Sequence, residues 1–178
     1  MKILTVYYSR KGENYVNGGI EDLKKGNTEI VAESIQRAVG GDLFEVETVK
    51  EYPKDYRACC QEAQKELREG IRPELKGFPA GLNECDLLFV GYPNWWGTMP
   101  MAMVALLEKY DLHGKKIVPF CTNEGSGLGS SERDLARICP GAKIVHGLSV
   151  RGSEASGSEK KVAEWAKGIV GSCEKDNG

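Results

Sequence analysis

The stretch Asp86-Leu87-Leu88-Phe89-Val90-Gly91-Tyr92 runs into Pro93-Asn94-Trp95-Trp96-Gly97-Thr98-Met99-Pro100. Its first part is a nearly unbroken apolar run of strand length, the pattern of a parallel strand covered by helices on both faces. Its second part is a polar and aromatic loop leading into a helix, with Pro100 where a first helical turn tolerates it and Val104 and Leu107 extending the helix to about Tyr110. A buried strand followed by a helix is half of a βαβ unit.

The same alternation recurs along the 178-residue chain. Ile3 to Tyr8 is a second interior strand. Leu43 to Val49 sets Glu45 and Glu47 against Val46 and Val49, which places it at an edge. Ile117 to Thr122, weakened by Pro119, and Ile144 to Val150 complete five strands. Between them, Asn27 caps a helix with Ile30, Val31, Ile35, Ala38 and Val39 on one face, stopped by Gly40 and Gly41. Tyr56, Cys60, Ala63 and Leu67 form the next stripe, ending at Gly70. Ser130 or Ser131 caps a helix bearing Leu135 and Ile138, and a capping box from Ser156 to Glu159 opens the last, which buries Val162, Trp165, Ala166 and Ile169. From about residue 172 the tail is polar and expected to fray.

Right-handed crossovers turn this order into a three-layer, doubly wound α/β fold. With the alternating strand outside the first and the Asp86 strand on its other side, the five-stranded parallel sheet takes the order 2-1-3-4-5. Ligands of such sheets bind at the carboxyl ends of strands one and three. A single domain spanning 1–178 is expected.

Composition narrows the function. The 24 basic and 26 acidic side chains give a net charge of −2, with no excess to attract nucleic acid or an anionic membrane. No apolar run approaches the roughly 20 residues of a membrane span and none resembles a secretory leader, so a cytoplasmic location is expected. Six cysteines without a CxxC pair and two distant histidines argue against zinc, thioredoxin chemistry and a disulfide framework, and Cys60, Cys85 and Cys121 read as buried small hydrophobes. Glycine is the outlier, at 22 residues or about 12% against roughly 7% on average.

Three loops at the ligand edge carry unusual chemistry. After strand one, Ser9, Arg10, Asn27 and Thr28 bring hydroxyl, amide and cationic groups to a helix N-terminus, which suits a phosphate. No Walker lysine and no GxGxxG accompanies them. After strand three, consecutive Trp95 and Trp96 cannot both enter one core, and Gly97 beside them permits close backbone approach. After strand four, Thr122-Asn123-Glu124-Gly125-Ser126-Gly127-Leu128-Gly129 has the alternating glycines of an anion-binding nest. The three outline a ligand with a phosphate at one end and a planar heterocycle at the other. A phospho-receiver domain would need acidic residues closing strand one, where Tyr7, Tyr8 and Ser9 stand instead.

With YYSRKGEN, GNT, GYPNWWGTMP and FCTNEGSGLGSS on the page, the chain resembles the flavodoxin-like FMN proteins, in particular a bacterial group with a longer first loop. The resemblance runs from about Lys2 to about Gly152. It implies FMN as cofactor, with the phosphate held by Ser9, Arg10, Asn27 and Thr28. It sets Pro93, Asn94, Trp95, Trp96 and Gly97 beside the isoalloxazine, and Thr122, Glu124, Gly125, Ser126 and Gly127 at the pyrimidine end. It also leaves open which of Arg10, Lys11, Asn14 or Asn17 reaches the phosphate, because an insertion separates Ser9 from Asn27. Two further expectations follow: amides of Gly125 to Gly129 near flavin N1 and a carbonyl of Gly97 or its neighbour near N5, with Glu124 lowering the potential. No catalytic side chain and no metal is required. The function implied is electron transfer to a redox partner protein or small-molecule acceptor, the alternative being an NAD(P)H-dependent quinone or nitro-compound reductase on the same fold. The near-balanced charge departs from the strongly acidic surface usual in such carriers.

Overall fold

A computed structural model describes residues 1–176. Its central sheet pairs β4 (Asp42–Glu45), β1 (Ile3–Tyr7), β5 (Leu87–Pro93) and β6 (Lys116–Asn123) in that order, and β6 carries both β7 (Lys143–Ile144) and β8 (Leu148–Arg151) on its far side. Every pairing in it is parallel. The order 2-1-3-4-5 is therefore the one expected, with the fifth strand split in two.

The strands alternate between two cores because side chains of a strand leave on opposite faces. Leu88, Val90 and Tyr92 of β5 pack on one side, with α3 (Met101–Leu107) and α4 (Ser131–Ile138). Leu87 and Phe89 pack on the other, with α1 (Asn27–Val39) and α5 (Glu159–Asp176). In α1, Val31 and Ile35 are fully buried, each stabilising the docked helix by about 1.5–3 kcal/mol.

Several boundaries differ from the sequence reading for physical reasons. The edge strand stops at Glu45 because its partner β1 ends at Tyr7; Val46 still donates to the Tyr7 carbonyl and is buried, while Val49 lies exposed. The break between β7 and β8 lies opposite Pro119, which has no N–H to give, and the path returns at Gly147, where a Cβ would press on the Pro119 carbonyl. α2 (Tyr56–Glu69) buries Cys59, Ala63 and Glu66, so Leu67 falls on its exposed side and Cys60 is only half-buried. α3 ends at Leu107, though single-turn bonds continue to Tyr110. Gly152–Gly157 forms a 3₁₀ turn, so Ser156 does not cap α5; Ser158 stands directly before that helix. α5 extends through the expected tail to Asp176, and the tail's last two residues lie outside the described residues.

The largest addition is an antiparallel hairpin of β2 (Gly12–Val16) and β3 (Gly19–Leu23), inserted between β1 and α1. Its turn is Asn17-Gly18, both residues at positive φ (47° and 88°), the conformation of a two-residue type I′ turn.

Candidate functional site

The loops after β1, β5 and β6 converge at the carboxyl edge of the sheet around a polar cavity of about 250 Å³. Asn27, Thr28, Pro93, Asn94, Trp95, Thr122, Glu124, Ser126 and Arg10 all line it, so nine of the fourteen expected site residues share one cavity. Ser9, Trp96, Gly97, Gly125 and Gly127 stand beside it in the same loops.

At its floor is the start of α1. Gly26, not Asn27, is the N-cap residue and offers no side chain. The missing cap comes from Ser9, whose Oγ accepts from the Glu29 N–H at 3.1 Å across the whole hairpin insertion. A Cβ on Gly26 would collide with Ser9 Oγ and the Arg10 carbonyl, so glycine is what lets the two ends of the split loop touch. Ile30 N–H bonds back to Gly26, and among the described residues the Asn27 and Thr28 amides take no protein acceptor. Both are oriented as first-turn donors at the positive end of the helix dipole. Thr28 and Thr122 share a buried hydroxyl–hydroxyl bond of 2.8 Å that ties α1 to β6.

Arg10 lines the cavity but spends its guanidinium elsewhere. Nε donates to the Glu13 carbonyl at 2.8 Å, and one terminal nitrogen donates to the carbonyls of Pro53 (3.0 Å) and Lys54 (2.8 Å). It clamps the hairpin to the approach of α2. Of the other basic or amide candidates in the insertion, Asn14 lines the cavity with its Nδ2 given to the Arg10 and Gly12 carbonyls, Asn17 donates its N–H to Glu124, and Lys11 lies 4.0 Å from Glu29.

In the loop after β5, Trp95 to Thr98 is a tight turn closed by reciprocal backbone bonds, with Trp96 (φ 57°) and Gly97 (φ 85°) at its two left-handed positions. The two indoles diverge as expected. Trp95 packs edge-on against Tyr8 and Tyr52, with ring centroids 5.2 and 5.0 Å away, whereas Trp96 is 52% exposed and donates Nε1–H to the Cys60 carbonyl. Asn94 bridges loops, accepting from Gly97 N–H at Oδ1 and donating Nδ2 to the Gly127 carbonyl. Of the carbonyls expected near flavin N5, those of Gly97 or its neighbour, that of Gly97 accepts from the backbone and hydroxyl of Ser130.

Two amides of the expected Gly125 to Gly129 nest are engaged from within. Asn123 Oδ1 accepts from Gly125 N–H and Gly127 N–H, both at 2.9 Å, while its Nδ2 donates to Ser149. Asn123 was the unrecognised residue here, and an Asx side chain at a strand end bonding two and four residues on is its sequence signal. Glu124 accepts from Ser153 N–H (2.8 Å) and from Asn17 N–H at the hairpin tip (3.4 Å), so its charge is tied to backbone donors.

The hairpin supplies further residues that strand and helix periodicity does not reveal. Glu13 accepts from the Tyr56 N–H at the start of α2, and Tyr15 stacks on Tyr56 with centroids 6.4 Å apart. Asn14, Tyr15 and Tyr56 all line the cavity. Among the described residues no group of three or more His, Cys, Asp or Glu could hold a metal, and no helix is long and apolar enough to cross a membrane.

A doubly wound sheet with its polar cavity at the β1/β5 switch point, floored by open helix amides and walled by aromatic rings, defines a protein of the mononucleotide-binding α/β class. Residues 23–169 match the family described as Flavodoxin, and the chain belongs to that family, whose cofactor is FMN. The fold is similar to that of a Bacteroides eggerthii protein assigned as a flavoprotein, 28% identical over 95% of this chain and 98% of that one, with a TM-score of 0.75. A second such protein, from Bacteroides uniformis, is 25% identical over 93% and 97% of the two chains, with a TM-score of 0.72. A flavoprotein from Lactobacillus acidophilus solved in complex with FMN is 19% identical over 91% and 98%, with a TM-score of 0.67, a likeness of fold. A search of curated proteins finds no match.

Proposed function

We propose that this flavodoxin-family protein holds FMN at the carboxyl edge of its sheet and acts in electron transfer, passing electrons to a redox partner protein or a small-molecule acceptor. One observation carries the reading: the open first-turn amides of α1 lead directly from a polar cavity to the Trp95 ring. The donor set fits the cofactor. Asn27 and Thr28 amides, the Thr28 and Ser126 hydroxyls and the helix dipole suit a phosphate, and Trp95, held edge-on by Tyr8 and Tyr52, suits a planar heterocycle. When bound, FMN supplies reversible uptake and release of electrons. The chain's part is to anchor the phosphate, to fix the aromatic wall and to keep the Glu124 carboxylate engaged with backbone donors.

A partner surface dominated by one sign of charge is not needed, since the net charge is only −2. Six free cysteines, five of them buried, fit a reducing cytoplasmic setting. The test is titration of FMN-free protein with FMN, followed by potentiometry and by turnover assays with NAD(P)H and a quinone. Binding at one FMN per chain, reversible reduction by chemical donors and negligible NAD(P)H turnover are expected. Failure to bind FMN defeats the reading, and rapid NAD(P)H-driven quinone turnover replaces the carrier with a reductase.

A further inference from the structure

Beside the polar cavity lies a second of about 320 Å³, mostly apolar, between the Trp95–Trp96 turn and α2. The two share Arg10, Asn14, Tyr56, Asn94 and Trp95, so they meet at a junction whose aromatic side chains are Tyr56 and Trp95. Cys59, Cys60, Ala63 and Trp96 line the far part. The loop after β6, Glu124 to Ser130, contains no aromatic residue. Any second aromatic ring facing a planar ligand on Trp95 therefore comes from the hairpin or α2, where Tyr15 and Tyr56 line the same cavity.

Tyr56 is built for that place. Its N–H is fixed by Glu13, its ring is backed by Tyr15, and the bond from Trp96 Nε1 to the Cys60 carbonyl (2.9 Å) ties the turn to the same helix. We propose that Tyr56, on the first turn of α2, is the second aromatic wall of the flavin site, opposing Trp95 at the junction, and that the ring's edge enters the cavity lined by Cys60 and Ala63. This rests on FMN being the ligand. Burial, with the Cys60 thiol beside it, pushes the Tyr56 phenol up to about 12.

Cys60 reports on the cavity without any substitution, because it is the one half-exposed thiol among the described residues. Saturating FMN is expected to slow alkylation of Cys60 by N-ethylmaleimide several-fold in the wild-type chain. Tyr56→Leu is expected to weaken FMN binding by about 3- to 10-fold and to brighten the bound flavin, since one stacking partner is lost. Tyr56→Phe restores both affinity and quenching. Unchanged alkylation at saturating FMN overturns the proposal, as does a folded Tyr56→Leu protein with wild-type affinity and quenching. If Tyr56→Leu does not fold, the alkylation rates alone decide. A wild-type chain that fails to bind FMN at all sinks the underlying reading instead.

Discussion

Arg10 separates two accounts of the loop after β1, and Arg10→Met tells them apart. If the guanidinium is a phosphate ligand, the substitution weakens FMN binding and leaves the FMN-free protein as stable as before. The geometry says otherwise, because three bonds of 2.8–3.0 Å join it to the Glu13, Pro53 and Lys54 carbonyls. Bonds from a charged donor are worth more than neutral ones, but these are partly exposed, so about 1 kcal/mol each is a fair net value. Their loss destabilises the FMN-free protein by about 2–3 kcal/mol, and with a urea slope of about 2 kcal/mol/M the midpoint falls by about 1–1.5 M. Trypsin cleavage after Lys11, Lys24 or Lys25, which flank the hairpin, is expected to accelerate in the same variant. Arg10→Lys recovers little, since one ammonium cannot reproduce a fork that reaches both the hairpin and the Pro53–Lys54 segment. A variant with unchanged urea midpoint and cleavage rate, but FMN affinity reduced tenfold or more, refutes the clamp.

Three other outcomes follow from the same network. Asn123→Ala removes the acceptor shared by Gly125 and Gly127 and is expected to cost about 1–2 kcal/mol, with faster exchange of those two amides by NMR; Asn123→Asp keeps the acceptor and most of the protection. Gly129→Ala combines a φ of 56° with a Cβ driven into the Gly97 carbonyl, so a loss of about 2–3 kcal/mol is expected in thermal melts. Burial raises the Glu66 carboxyl above its ordinary 4.5, partly offset by the hydrogen bond from Tyr52. A raised folded-state value favours folding most at pH below 4.5 and loses that contribution as pH climbs through the folded-state value. Glu66→Gln, which keeps an acceptor for Tyr52, is expected to gain on wild type in urea titrations as pH rises from 4 to 8; a difference that does not change with pH refutes this.

Strand order was legible because the β1 and β5 segments are apolar on both faces, a pattern that admits few positions in a sheet. The ligand edge was legible for the same reason, since sheet order fixes where the loops converge. The roles of individual loop residues were not. Arg10, Ser9 and the Gly125–Gly127 amides are chemically suited to a phosphate or flavin, yet the chain itself already supplies partners: main-chain carbonyls to Arg10, the Glu29 amide to Ser9, and Asn123 to the glycine amides. Composition reports what a group can bond, not which partner reaches it first. Asn17-Gly18, by contrast, is a local hairpin signal carried openly by the inserted segment. Tyr56 carries no local signal, because its place in the site depends on Glu13, 43 residues away.

The insertion that obscured the first loop also explains how the site is completed. Splitting the loop after β1 by a self-paired hairpin adds little closure entropy, provided the two ends still touch, and Gly26 against Ser9 and Arg10 secures that contact. Once present, the hairpin is tied at its base through Glu13 to α2 and at its tip through Asn17 to Glu124, so it spans the carboxyl edge between the first and last ligand loops. Asn14 and Tyr15 thereby become cavity walls, and α2 is brought into the site through Tyr56. Loosening either tie should therefore alter the aromatic side of the cavity as well as the phosphate side. Removing the base tie alone, Glu13→Ala, is expected to loosen the α2 N-terminus while sparing the Ser9 cap, so that bound-flavin fluorescence rises while the Glu29 amide keeps its protection from hydrogen exchange; unchanged fluorescence refutes the link between the hairpin and the aromatic wall.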